Sequence, residues 1–124
     1  MKVTVSKTVG FEAAHFLPDY VGKCANLHGH HWKVEVGITG SVNPETGMVV
    51  DFSTLKAGLK PILDNLDHGL VNTIVKMPTA ENIGLYIFNW LDTYWIPSLL
   101  EEEISIEYVK VGETEDSCAE VRSE

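Results

Sequence analysis

The chain has few cysteines, few cations and no long apolar run, and each shortage excludes a class of protein. The chain has only two cysteines, Cys24 and Cys118, which are too few for a disulfide-stabilised scaffold in a protein of 124 residues. Nine lysines and arginines against eighteen aspartates and glutamates give a formal net charge of −9. This charge argues against a nucleic-acid or anionic-membrane partner, because phosphate binding depends on clustered cations.

The apolar stretch over residues 83–100 is interrupted by polar residues and Pro97, so it does not predict a transmembrane helix. The start of the chain lacks the apolar core of a signal peptide. We therefore expect a cytoplasmic protein whose cysteines stay reduced. The length and the absence of linkers or repeats predict a single domain over residues 1–124.

Apolar periodicity predicts the element order strand, strand, helix, helix, strand, strand. The predicted elements run over about residues 3–11, 31–40, 51–66, 79–96, 104–111 and 118–122. The first two strands leave no room for a helical crossover, which favours an α+β fold with a four-stranded antiparallel sheet and both helices on one face. The open sheet edges then favour association of subunits into a closed ring.

Two details of the helices are testable. Pro61 lies inside the first helix and is expected to bend it, because it removes one internal hydrogen bond. The buried stripe of the second helix is expected to contain Ile83, Ile87, Trp90, Leu91 and Tyr94.

Three of the five histidines fall between His28 and His31. In an extended strand His28 and His30 point to one face, close enough to bind one ion, while His31 points to the other face and is the least favoured ligand. His15 ends the preceding strand and can meet the pair across a hairpin. Although a lone histidine is usually a surface or core residue, these three together predict a zinc site with one open position.

Cys24 lies four residues before His28 and has three interpretations. It is a fourth, structural zinc ligand, or a thiol beside the metal whose lowered pKa suits a base or nucleophile, or a small buried apolar residue. Asp67-His68 after the first helix and Glu113 at a strand end are weaker candidates. An Asp-His pair is more often a surface feature, and most such glutamates are simply solvated.

The motifs together resemble the 6-pyruvoyltetrahydropterin synthase family, and in particular its 6-carboxytetrahydropterin-forming branch. They cover nearly the whole chain and occur in the family's order: Phe11-Glu12-Ala13-Ala14-His15, Cys24-Ala25-Asn26-Leu27-His28-Gly29-His30, Asp51-Phe52, Leu66-Asp67-His68, Pro78-Thr79-Ala80-Glu81-Asn82 and Glu113-Thr114. The three residues enclosed by Cys24 and His28 favour that branch. Gly69, Leu70 and Gly112 depart from it: bulkier residues often follow the histidine, and a lysine commonly precedes the glutamate.

The resemblance implies a tunnelling fold in which three subunits close a twelve-stranded barrel and two trimers commonly stack into a homohexamer. It implies that Zn²⁺ is bound by His15, His28 and His30. It further implies that Cys24, Asp67 and His68 are catalytic and that Glu113 anchors the pterin. Thr79 and Thr114 are weaker candidates for supporting contacts with the substrate.

The implied activity is that of a lyase. It converts 7,8-dihydroneopterin triphosphate to 6-carboxy-5,6,7,8-tetrahydropterin, with release of acetaldehyde and triphosphate, in queuosine and other 7-deazapurine biosynthesis. The alternative within the family is elimination of triphosphate to 6-pyruvoyltetrahydropterin. The alternative from another class is a non-catalytic, zinc-stabilised pterin-binding module in which Cys24 is a fourth ligand.

Overall fold

The regular elements follow the expected order, with one short additional strand between the helices. The computed structural model describes residues 1–99 and 103–124. Its strands and helices are β1 Val3–His15, β2 His28–Gly40, α1 Phe52–Leu66, β3 Gly69–Leu70, α2 Ala80–Trp90, β4 Ser105–Thr114 and β5 Ser117–Arg122.

The sheet has five strands in the order β3-β1-β2-β4-β5, which corrects the prediction of four. The four long strands pair antiparallel, as expected. The additional strand β3 is parallel to β1 and pairs with it only at Ala13 and Ala14. Such a two-residue strand has no sequence pattern of its own, because its pairing is decided by the tertiary structure around it.

One face of the sheet carries the core and packs against both helices. Helix α1 contacts β1, and α2 contacts β4 and β5. The alternating apolar residues of three strands point to this side, where they are buried with the helix stripes: Phe11, Ala13, Trp32, Val34, Val36, Ile38, Ile106, Val109, Val111, Leu55, Leu59, Ile62, Leu66, Ile83 and Ile87. Period-two alternation in the strands and helical spacing between them therefore account for the core.

Both helices begin at a capping side chain. Asp51 accepts a hydrogen bond from the backbone N–H of Ser53 (2.8 Å), and Thr79 accepts one from Asn82 N–H (3.1 Å). Such caps satisfy backbone donors that the first helical turn leaves free. Helix α1 continues through Pro61 as one helix.

The end of the second helix differs from the prediction. Residues Leu91–Trp95 form a π-helical turn, in which hydrogen bonds span five residues instead of four. The wider turn changes which side chains face inward, so Trp95 is buried and Tyr94 is 64% exposed. The expectation that Tyr94 belongs to the buried stripe was therefore wrong.

The opposite face of the sheet is polar and is not covered by either helix. It carries Thr8, His31, Lys33, Glu35 and Lys110, which alternate with the core residues. Across the described part of the chain, no helix is both long enough and apolar enough to cross a membrane.

Candidate metal centre

The pairing of β1 with β2 brings three histidines to one end of the core face. His15 and His28 are direct partners in the antiparallel register, and His30 is the partner of Ala13. Because alternate strand residues share a face, His15, His28 and His30 project to the same side. Their rings contact one another edge to face, with centroids 4.6 to 5.2 Å apart.

The donor atoms of these histidines converge together with one carboxylate. His15 Nε2 lies 3.1 Å from His28 Nε2 and 3.1 Å from Glu113 Oε1, and His30 Nε2 lies 3.0 Å from the same oxygen. Each of the four residues offers one donor atom, and these atoms all lie within 4.8 Å of one another. Zinc–ligand bonds near 2.1 Å in a tetrahedron place donors roughly 3.4 Å apart, so this spacing suits zinc.

Backbone carbonyls determine which ring nitrogen faces the cluster. His15 Nδ1 donates to Pro78 O (2.8 Å), and His28 Nδ1 donates to Asn26 O (2.7 Å). In the neutral rings both Nε2 atoms then carry a lone pair directed at the cluster. Such outer hydrogen bonds are typical of metal-binding histidines.

Without a cation this arrangement would be electrostatically unfavourable. The lone pairs of two imidazoles and of a carboxylate face one another at about 3 Å. Although Glu113 Oε1 is near, His30 Nε2 is buried and has no hydrogen-bond partner of acceptable geometry among the described residues. Desolvation by burial outweighs the opposing effect of the Glu113 carboxylate and, with a smaller contribution from His15 and His28, lowers the pKa of His30, which favours the neutral, metal-binding ring. The donor set therefore fits a divalent cation.

The core supports the histidines from below. His15 is only 1% exposed and packs edge to face on the fully buried Trp32, with ring centroids 4.9 Å apart. His30 contacts the same indole at 5.3 Å. Trp32 Nε1 donates to Ala13 O (3.1 Å), so the indole has little freedom to rotate. The buried indole of Trp32 thus fixes the rings of His15 and His30.

Cys24 lies close to the cluster in sequence but is not among the four grouped donors. It occupies a short 3₁₀ turn, Lys23–Ala25, before β2, and its residue is half-buried. Its carbonyl accepts a hydrogen bond from Leu17 N–H (2.8 Å), which ties this turn to the chain just after β1. The fourth donor next to the histidines is Glu113 and not this thiol.

Asp67 and His68 form a carboxylate–imidazole pair. Asp67 Oδ2 lies 2.8 Å from His68 Nδ1, and the left-handed backbone of His68 (φ 58°) accompanies this contact between neighbours in sequence. The backbone N–H of Glu12 donates to Asp67 Oδ1 (2.8 Å). That hydrogen bond, followed by the one from His68, lowers the pKa of Asp67, so its carboxylate stays ionised to lower pH.

The pair lies directly before β3, next to Glu12 of β1, and is not within the histidine cluster. His68 is 79% exposed, and its backbone N–H donates to Glu12 O. A cleft of about 430 Å³ lies beside it, lined by Glu12, Gly29, His30, His31 and His68 among others. The exposed imidazole is thus open to a substrate or to another subunit.

The remaining candidate residues make local contacts. His31 projects to the polar face, where its Nδ1 bonds the carboxylate of Glu12. Thr79 Oγ1 caps α2, and Thr114 Oγ1 donates to Asp116 Oδ1 (3.0 Å) in the turn before β5. The two threonine hydroxyls therefore have structural partners already.

One contributor to the site gave no sequence signal. Asn72 bonds the backbone of Phe16 twice: its Oδ1 accepts from Phe16 N–H (3.0 Å) and its Nδ2 donates to Phe16 O (2.9 Å). Gly69 and Leu70 pair with Ala13 and Ala14, so Asn72 lies opposite Phe16 in the same register. There its side chain, in place of its backbone, bonds to the neighbouring strand. Asn72 thereby holds the chain next to His15.

If the centre holds a divalent metal ion, we expect Asn72→Ala to weaken its binding about tenfold, the lower end of what outer partners of metal ligands contribute. The reason is that Phe16 loses both hydrogen bonds and His15 gains freedom. Competition with a chromophoric chelator measures the affinity. Asn89→Ala, on the exposed side of α2, is the matched control. Equal zinc affinities of the two variants would contradict this role.

Comparison with known proteins agrees with this fold. A family model described as 6-pyruvoyl tetrahydropterin synthase matches residues 4–124. The protein is therefore an enzyme of the lyase class, a pterin synthase with a candidate metal-binding group of three histidines and a glutamate. The chain belongs to the 6-pyruvoyl tetrahydropterin synthase family.

Similar proteins include two named 6-carboxy-5,6,7,8-tetrahydropterin synthase. The one from Synechocystis is 41% identical over 107 residues, covering 81% of this chain and 83% of the relative. The one from Haemophilus influenzae is 33% identical over 142 aligned positions, covering 94% and 96%. The solved 6-pyruvoyl tetrahydropterin synthase of Caenorhabditis elegans is 28% identical, with a TM-score of 0.85 over 100% of this chain and 97% of that one.

Proposed function

We propose that the protein is a zinc-dependent 6-carboxytetrahydropterin synthase. It converts 7,8-dihydroneopterin triphosphate and water to 6-carboxy-5,6,7,8-tetrahydropterin, acetaldehyde and triphosphate, within queuosine or another 7-deazapurine pathway in the cytoplasm. The observation that carries the proposal is the convergence of His15, His28 and His30 on one point beside Glu113, in a chain similar to synthases of this name.

His15, His28 and His30 would hold the metal through their Nε2 atoms. Zinc, when bound, stabilises the negative charge that develops on the oxygens of the substrate side chain as a neighbouring C–H proton leaves. Cys24, as a thiolate in the turn before β2, accepts that proton. A cation nearby favours the thiolate over the thiol.

The Asp67-His68 pair then handles the second proton. Since His68 Nδ1 faces Asp67, Nε2 is the atom that exchanges a proton with the reacting side chain. Asp67 orients the ring and stabilises its charged form, and the low pKa of Asp67 keeps that anion in place. Triphosphate leaves, and addition of water followed by a retro-aldol-type cleavage of the remaining side chain releases acetaldehyde and leaves the 6-carboxy group.

Glu113 anchors the pterin, because a carboxylate can accept two parallel hydrogen bonds from the ring N–H and the exocyclic amine. Thr79 and Thr114 are weaker candidates for supporting contacts with the ring, since their hydroxyls already have partners. The chain carries a net charge of −9, so a triphosphate needs a local cation, and the metal would supply one.

The working enzyme is proposed to be a trimer or a dimer of trimers. Within the described residues, β5 pairs only with β4, and the first ten residues of β1 pair only with β2. Joining β5 of one subunit to β1 of the next would satisfy both edges and close twelve long strands into a barrel. The exposed His68, next to Glu12 of β1, would then face a neighbouring subunit. Native mass spectrometry should show three or six chains.

The assay is incubation of zinc-loaded protein with 7,8-dihydroneopterin triphosphate, followed by mass spectrometry of the pterins and trapping of aldehydes. We expect 6-carboxytetrahydropterin and acetaldehyde in equal amounts. Accumulation of 6-pyruvoyltetrahydropterin alone would assign the protein to the other activity of the family. A zinc-bound protein that releases no triphosphate would be a pterin-binding module and would refute the proposal.

A further inference from the structure

Glu113 has a position that its proposed role as pterin anchor does not explain. Its Oε1 lies 3.1 Å from His15 Nε2 and 3.0 Å from His30 Nε2, and its side chain is 29% exposed. It is the one carboxylate in the group of four donors found among the described residues. A carboxylate oxygen whose syn lone pair binds a metal ion cannot at the same time use that lone pair, together with its sister oxygen, to accept two parallel hydrogen bonds from a pterin ring.

The donor count makes this conflict sharper. Three histidines and one carboxylate complete a tetrahedral zinc site, whereas a catalytic zinc keeps one position open for water or substrate. With Glu113 bound, the site is closed. In a site that stays four-coordinate, the substrate side chain can reach the metal only when this carboxylate has left.

The backbone at Glu113 permits such a movement. The pairing of β2 with β4 ends at Gly112, opposite Lys33. The pairing of β4 with β5 shifts register between Gly112 and Thr114, so Glu113 has no partner there and forms a bulge. Bulges change the direction of a side chain and are frequent beside active sites. A residue outside both ladders can turn without breaking sheet hydrogen bonds.

We propose that Glu113 is an exchangeable fourth metal ligand. Its carboxylate binds the metal in the absence of pterin; when substrate arrives, the carboxylate dissociates from the metal and binds the pterin ring instead. This rests on the proposed metal site and pterin substrate. One carboxylate movement then couples recognition of the heterocycle to opening of the metal. A triphosphate without the pterin ring would leave the site closed.

Cobalt(II) in place of zinc provides the test, because its visible absorption reports the number and type of its ligands. We expect the wild-type cobalt spectrum to change when 7,8-dihydroneopterin is added. Glu113→Gln should differ from wild type before any pterin is added, because a neutral amide is a poorer ligand, and it should bind zinc about tenfold more weakly. Glu115→Gln, an exposed glutamate two residues away, is the matched control and should behave as wild type.

Identical pterin-free cobalt spectra and zinc affinities for wild type and Glu113→Gln would overturn the proposal. So would a wild-type spectrum that does not change while the quenching of pterin fluorescence shows saturated binding. The spectra and affinities without pterin need no substrate and no turnover. A failure of the proposed reaction is therefore distinguishable from a failure of the ligand exchange.

Discussion

Replacing Cys24 with alanine is expected to leave zinc bound and to reduce turnover of 7,8-dihydroneopterin triphosphate by about 10²- to 10⁴-fold, the range that one proton-transfer group contributes. The thiol lies in the turn before β2, outside the group of four donor atoms. Zinc content measured by atomic absorption should stay at one ion per chain, while steady-state assays show a lower kcat.

The matched control is Cys118→Ala, the same change at the exposed cysteine of β5. It should retain wild-type kcat and zinc content. Loss of zinc from Cys24→Ala would show that the thiol is a structural ligand and would favour the non-catalytic binding module. Unchanged turnover would exclude Cys24 as the base.

Strand parity explains why much of the metal centre could be predicted from the sequence. Alternation along β1 assigns His15 to the face of Phe11, and alternation along β2 assigns His28 and His30 to the face of Trp32. One hairpin then suffices to bring the three rings together, because side-chain direction in a strand has a period of two. The two helices could also be predicted from the sequence, since their apolar spacing and capping residues are local features.

The parts that were not predicted depend on contacts distant in sequence or on small changes of backbone geometry. Strand β3 exists only because Gly69 and Leu70 meet β1 after the left-handed turn at His68. The burial of Tyr94 was wrongly predicted because a π-helical turn changes which side chains face the core. The position of Glu113 depends on a bulge, which alternation along a regular strand does not reveal.

His15→Ala is expected to weaken zinc binding by more than about 100-fold, since outer partners of a ligand alone contribute 10- to 100-fold and this change removes the ligand itself. His15 is the most buried of the four donors. The wild-type protein at a free zinc concentration about 100 times Kd should gain about 2.7 kcal/mol in free energy of unfolding, because only the folded chain presents the assembled site. The variant should gain less than about 0.4 kcal/mol at that concentration, because its Kd is then at least as large as the free zinc concentration.

Thermal unfolding with and without zinc measures this difference, with circular dichroism of the apo-variant as the test of folding. Removing a buried ring leaves a cavity above Trp32, so His15→Ala will unfold at a lower temperature even without metal. His15→Gln, which leaves a smaller cavity, separates this packing loss from the loss of the ligand.

His31→Ala is the matched control on the polar face, and it should keep the full zinc-dependent stabilisation because the His31 imidazole bonds Glu12 and not the cluster. Equal zinc stabilisation of His15→Ala and His31→Ala would exclude His15 as a ligand, and with it the three-histidine centre on which the proposed chemistry depends.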